Sequence, residues 1–201
     1  MPGGRDALHS FVWFGVGVTN MAQTAASAFW QFSLDLYARP HVSTLCLALQ
    51  DKHGFDVNLL LFCLWSAQVS KVALDSSEIS ELLDRISPLN DNLVHPVRSA
   101  RRWVRLCIAG SPETDPAVEL VKVHASLKAV ELQSERQVQS ALAGLSRQTA
   151  NRDRTTQQSA ASANLCIYRQ VIAAPDAAAV LLSQLVFMAF APPIKPGVSL
   201  T

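Results

Sequence analysis

Apolar side chains recur at intervals of three and four residues along most of the chain, which is the period of an amphipathic α-helix. Residues 41–53 follow this spacing, and Gly54 comes next, where a left-handed residue commonly ends a helix. The same period predicts further helices over residues 25–38, 76–86 and 94–110. Proline and asparagine at positions 88–92 predict a break before the last of these. No pair of strands with a hairpin turn is found, so the sequence predicts an all-α fold.

One segment has no polar face. Leu59 to Trp65 is an unbroken apolar run, and Asp56 stands where a residue would cap the start of a helix. A helix that is apolar on all sides is normally enclosed by other helices. The pattern therefore predicts a helical bundle around a buried central helix that covers residues 57–69.

The second half of the chain predicts a long helical hairpin. From Pro116 to about Ser146, apolar positions repeat loosely every three or four residues between charged flanks. Two returning helices are predicted over residues 164–173 and 176–191. The predicted organisation is a non-core N-terminal extension (1–24), a helical bundle (25–110), a long helix with returning helices packed on the bundle (111–191) and a flexible tail (192–201).

Composition narrows the class of protein. Of 201 residues, 49% are hydrophobic and 16% are charged, against about 25% charged in typical soluble domains, so much of the surface must be buried. The net charge of +1 gives no strong nucleic-acid signal, because phosphate binding needs a larger basic excess. No segment predicts a transmembrane helix. The four cysteines form no CxxC pair and lie among apolar residues, which predicts buried, reduced thiols and a cytoplasmic location.

The first residues allow two interpretations. Phe11 to Val18 is an apolar stretch after Arg5, which resembles a weak signal peptide or a site of peripheral membrane contact. Met21 begins a segment typical of a cytosolic helix. We favour a non-core extension, with either Met1 or Met21 as the true start.

A charged cluster before the central helix is the first candidate site. Asp51, His53 and Asp56 could serve as catalytic or metal-binding groups, because an imidazole beside carboxylates can hold a proton near neutral pH. The simpler interpretation is a helix corner. Lys52 and His53 suit a helix C-terminus, Gly54 a stop and Asp56 an N-cap. We favour the corner and predict no metal site.

A basic stripe is the second candidate. Spacings of three, four and seven place its members on one helix face, where guanidinium groups could bind an anionic partner. The alternative is a solvated face paired with acidic residues 78, 81 and 84 of the preceding helix. The stripe consists of Arg98, Arg101, Arg102 and Arg105.

No common catalytic motif supports an enzyme. The chain lacks GxSxG, Walker A, GxGxxG and HExxH sequences, and no cofactor is predicted. The leading hypothesis is a non-enzymatic interaction or scaffold module. It would bind a protein partner through the basic stripe, or self-associate through the long helix. The alternative is a small helical enzyme or metal-binding protein that uses Asp51, His53 and Asp56.

Four segments together resemble a family of uncharacterised bacterial proteins, found mainly among proteobacteria. The most specific part runs from Leu49 to Trp65. The resemblance implies a cytosolic helical protein and carries no catalytic residues. The four segments are FWQFSLDLYARPHV, CLALQDKHGFDVNLLLFCLW, HPVRSARRWVR and LKAVELQSERQ.

Overall fold

The computed structural model describes residues 19–110, 115–144 and 154–190, and these ranges contain helices and no strand. The predicted all-α class is confirmed. The terminal segments proposed as an extension and a tail lie largely outside the described residues. The helices are α1 (Thr19–Tyr37), α2 (Val42–His53), α3 (Val57–Ser70), α4 (Ser76–Leu89), a π-helical turn (Asn90–Val94), α5 (His95–Gly110), α6 (Asp115–Ala143), α7 (Gln157–Val171) and α8 (Ala178–Phe190).

The corner between α2 and α3 forms as the sequence predicts. Gly54 has φ 73°, and its N–H bonds the carbonyls of Gln50 and Leu49, which is the usual left-handed end of a helix. Asp56 then caps α3, because its side chain accepts a hydrogen bond from the Leu59 N–H at 2.9 Å. Both predicted helix-end roles are confirmed.

Helix α3 is enclosed by its neighbours. Every residue from Asn58 to Ala67 is buried, and the helix packs against α1, α2, α6 and α7. Trp65 lies against Phe29, with ring centroids 5.1 Å apart, and Phe62 meets Phe29 edge-on at 5.6 Å. A helix without a polar face needs contacts on all sides, and this one has them.

The predicted break at residues 88–92 is wrong, because the chain stays helical there. The π-helical turn widens the backbone between α4 and α5, which absorbs the change in hydrogen-bond register near Pro88. The Asn92 side chain donates to the Pro88 carbonyl at 2.8 Å. The polar residues that predicted a loop are therefore accommodated within the helix, because the Asn92 side chain bonds a helix carbonyl and the Asn90 side chain is buried.

Helix α6 packs mainly on α5, α1 and α4, whereas α7 packs chiefly on α3 and α8. One hydrophobic core joins buried residues from Phe29 to Ala189. None of the helices described has both the length and the apolar content needed to cross a bilayer. The prediction that all four cysteines are buried is confirmed for Cys46 and Cys63 only, because Cys107 is half-buried and Cys166 is exposed. Cys166 lies on the outer side of α7, where Leu165 and Tyr168 occupy the inward face.

Candidate functional site

Asp56 does more than cap a helix. Its second carboxylate oxygen accepts a hydrogen bond from the Asn90 side chain in the π-helical turn at 2.9 Å. Its backbone N–H donates to the Tyr168 hydroxyl of α7 at 2.8 Å. Desolvation raises the pKa of the Asp56 carboxyl, although the hydrogen bonds from Leu59 and Asn90 oppose this effect. The corner residue therefore links α3 to two distant parts of the chain.

A polar chain runs through the interior beside this corner. The Asn58 side-chain amide donates to Glu135 of α6, and the Gln139 amide donates to the Asn58 oxygen at 3.0 Å. The Ser33 hydroxyl of α1 donates to the Gln139 oxygen at 3.1 Å. Buried polar groups that satisfy each other in this way fix the relative positions of their helices. Here the series of hydrogen bonds fixes helices α1, α3 and α6 relative to one another.

Arginines of α5 continue the same network. The Arg98 guanidinium donates to Glu135, to Glu131 at 3.2 Å and to the Gln50 side chain at 3.2 Å. Arg101 donates to both oxygens of Glu131. The side chains of the two glutamates and two arginines are only 14–23% exposed, so solvent screens these pairs less than pairs on an open surface.

The charges in this network perturb one another. Desolvation raises the pKa of Glu135 and outweighs the opposing effects of Asn58 and Arg98. For Glu131, desolvation acts in the same upward direction, but hydrogen bonds from Arg101 and Arg98 lower its pKa overall. Asp56 and Glu135 also repel each other electrostatically. We name the set of Asp56, Asn58, Arg98, Arg101, Glu131 and Glu135 the arginine–carboxylate network.

The three predicted catalytic candidates occupy different environments. Asp51 is exposed and accepts a hydrogen bond from the Gln50 amide at 3.2 Å. His53 is half-buried, and its Nδ1 atom has no hydrogen-bond partner within the described ranges. The carboxylate of Asp56 bonds Leu59 and Asn90. In the part of the chain that the structure describes, no group of three or more His, Cys, Asp or Glu side chains is placed to hold a metal ion.

The basic stripe divides into two pairs. Arg98 and Arg101 face α6, and their acidic partners lie on that helix rather than on α4. Arg102 and Arg105 are exposed. The structure therefore places the four predicted binding residues in two roles, an internal pair and an external pair.

Two large apolar side chains accompany the external arginines. Trp103 is 64% exposed and Leu106 is 66% exposed, and they stand one helical turn apart. Val104 is the buried member of this stretch and contributes the inward side of the helix. We name Arg102, Trp103, Arg105 and Leu106, which together span roughly half of the helix circumference, the outer face of α5.

Sequence reasoning missed the acidic half of the network. Glu131 and Glu135 are four residues apart on α6 and so share a helix face, which was the available signal. Asn58 was visible as a polar interruption of an apolar segment. Nothing in the local sequence indicates that Asn90 reaches Asp56, because that contact depends on the π-helical turn.

Comparison with known proteins gives a family and no activity. No curated protein and no solved structure matches the chain. The model of a family described as a protein of unknown function (DUF2390) matches residues 28–142, a range that contains the whole arginine–carboxylate network. The expected membership of an uncharacterised family is thereby confirmed. Because the match covers more than half of the 201 residues, the chain belongs to this family of proteins of unknown function.

Proposed function

We propose that the protein is a non-enzymatic interaction module whose outer face of α5 binds a protein partner. The observation that carries this proposal is the exposure of Trp103 and Leu106 side by side on one helix. Tryptophan and arginine dominate the energetics of many protein interfaces, because they combine a large apolar surface with directed hydrogen bonds.

The arginine–carboxylate network supports the proposal by orienting α5. Contacts from Arg98 and Arg101 to α6 fix the orientation of the helix. The exposed side chains of Arg102, Trp103 and Leu106 are therefore held toward solvent without a change of fold. A preorganised surface loses less entropy on binding than a mobile one. A single helix face is smaller than the ~800 Å² per partner of a standard interface, so we expect a transient complex.

The test compares two double variants in which the replaced side chains are equally exposed. Trp103→Ala/Leu106→Ala removes the apolar part of the outer face of α5. Val180→Ala/Phe187→Ala removes a pair on α8 that is 63% and 64% exposed and serves as the matched control. Tagged full-length protein is used to capture partners from cells of origin, with mass spectrometry of the captured material.

The α5 variant should lose a specific partner that the wild type and the α8 variant both retain. Circular dichroism and thermal melting should be unchanged in both variants, because exposed side chains contribute little to folding. Equal capture by all three proteins would contradict the proposal.

We also infer that the protein acts in the cytoplasm. The inference is supported by the cysteine pattern: the chain has no CxxC pair, and Cys46 and Cys63 are buried apart from any disulfide partner, which is typical of proteins of reducing compartments. Subcellular fractionation of the native host, followed by immunoblotting, would detect the protein in the cytoplasmic fraction. Recovery in a periplasmic or membrane fraction would contradict it.

A further inference from the structure

Helix α5 carries two arginine pairs of the same spacing, and among the described residues only the first pair has acidic partners. Arg98 and Arg101 are three residues apart, as are Arg102 and Arg105. The first pair binds two glutamates of α6 that are four residues apart. Arg98 reaches both Glu131 and Glu135, whereas Arg101, one turn further along α5, reaches Glu131 alone. This order of contacts shows that α5 and α6 run antiparallel here.

The second pair has no such partner in the described residues. Arg102 and Arg105 are exposed, and no ion pair joins either of them to a residue in the parts of the chain described. Lys128 of α6 is exposed, but it is a cation and therefore cannot form an ion pair with either arginine. The external pair therefore offers unpaired positive charge beside a large apolar surface.

We propose that the partner of the outer face of α5 presents an acidic amphipathic helix, with two carboxylates three or four residues apart and an apolar strip beside them on the same helix. The carboxylates would bind Arg102 and Arg105 as α6 binds the internal pair, and the apolar residues would cover Trp103 and Leu106. The inference rests on the proposed function and adds the chemistry of the partner. Helices with this pattern commonly bind in apolar grooves or on helix faces.

Charge complementarity favours a protein helix over an anionic membrane. An acidic membrane attracts each nearby cation only modestly, and the outer face of α5 has only two arginines on a chain of net charge +1. A carboxylate that meets an arginine directly forms a stronger, directed hydrogen bond. Lipid binding and self-association are therefore outcomes that the test must separate.

The experiment uses the full-length chain in three forms. Arg102→Glu/Arg105→Glu reverses the external charge. Lys52→Glu/Arg85→Glu makes the same change in net charge at two other exposed positions and is the matched control. Arg102→Lys/Arg105→Lys keeps the charge and supplies amines. A carbodiimide joins each amine to a contacting carboxylate as an amide, and it takes up the water that is lost to become a urea.

Charge reversal on α5 should lower capture about tenfold or more, while the matched control leaves capture unchanged. The lysine variant should cross-link to two carboxylates three or four residues apart in one partner segment, identified by mass spectrometry. Undiminished capture by the Arg102→Glu/Arg105→Glu variant, or capture without these cross-links, would overturn the acidic-helix proposal but leave the proposed function standing.

Three other outcomes are distinct. Cross-links to a second copy of this chain would overturn the proposal in favour of self-association. Binding to phosphatidylserine–phosphatidylcholine vesicles that depends on Arg102 and Arg105, without protein cross-links, would overturn it in favour of a membrane. Capture that depends on neither Trp103 nor the arginines would overturn this inference and the proposed function together.

Discussion

Replacement of Arg98 by methionine tests whether the arginine–carboxylate network holds α5 in place. The Arg98 guanidinium contacts Glu131 and Gln50, each at 3.2 Å, and Glu135, while its side chain is 19% exposed. Methionine can fill the space of the arginine stem but leaves Glu135 without a cation. Loss of one partner from a buried pair costs about 3–5 kcal/mol, and an exposed pair contributes about 0–1 kcal/mol. The partial exposure therefore predicts a loss of about 2–3 kcal/mol in the free energy of unfolding.

Urea denaturation followed by far-UV circular dichroism measures this loss. Arg102→Met is the matched control, because Arg102 lies one turn away on the same helix and is exposed. The control should change the free energy of unfolding by no more than about 0.5 kcal/mol. If Arg98→Met falls within the same margin, the network does not hold α5 and the reasoning is refuted.

A double variant identifies the source of the loss. Glu135→Gln removes the charge that Arg98→Met leaves unpaired, and its side-chain oxygen can still accept the hydrogen bond from Asn58. The double variant should therefore be about 1–2 kcal/mol more stable than Arg98→Met alone. The Arg98→Met loss should also be smaller at pH 5 than at pH 8, because burial raises the pKa of Glu135 and a protonated carboxyl needs no cation. Purely additive effects would show that the two side chains are not coupled.

Two further predictions concern the α2–α3 corner. Burial raises the folded-state pKa of Asp56 above its ordinary 3.8, so Asp56 contributes stability at acidic pH that is lost as the pH rises through the folded pKa. Asp56→Asn should remove that pH dependence and match or exceed wild-type stability in urea at pH 8, because asparagine also caps helices. The Asn90 side-chain oxygen, which has no partner among the described residues, can also accept a hydrogen bond from the new amide. A less stable variant at pH 8 would contradict this. Gly54→Ala should cost about 1–2 kcal/mol in thermal denaturation because φ is +73° with no atom within 4 Å of the added Cβ. Gly110→Ala, also with open space around the Cβ, should show no loss, and equal effects at both positions would disprove the backbone explanation.

Local patterns predict the corner and the central helix because the physical signals there are local. The left-handed glycine, the aspartate cap and the wholly apolar segment each express a preference of a few neighbouring residues. The outcome at Gly54, Asp56 and α3 follows these preferences. Periodicity also gives the helical class, since no competing strand pattern is present in the chain.

The break predicted near Pro88 fails because the competing solution is tertiary. A π-helical turn keeps the chain helical and carries Asn90 into contact with Asp56, an arrangement that no window of local sequence specifies. The pairing of α5 with α6 is equally non-local. Sequence spacing places four arginines on one face, but only the packed structure shows that Arg98 and Arg101 face carboxylates of α6.

The division of the arginines determines which experiments report on binding. Arg98 acts through the orientation of α5, so loss of a partner in Arg98→Met would follow from a displaced helix as readily as from a lost contact. Arg102 and Arg105 lie outside the network, and their replacement should leave the free energy of unfolding unchanged. A partner that is lost on charge reversal at these two positions, in a protein of wild-type stability, must therefore contact the outer face of α5 itself.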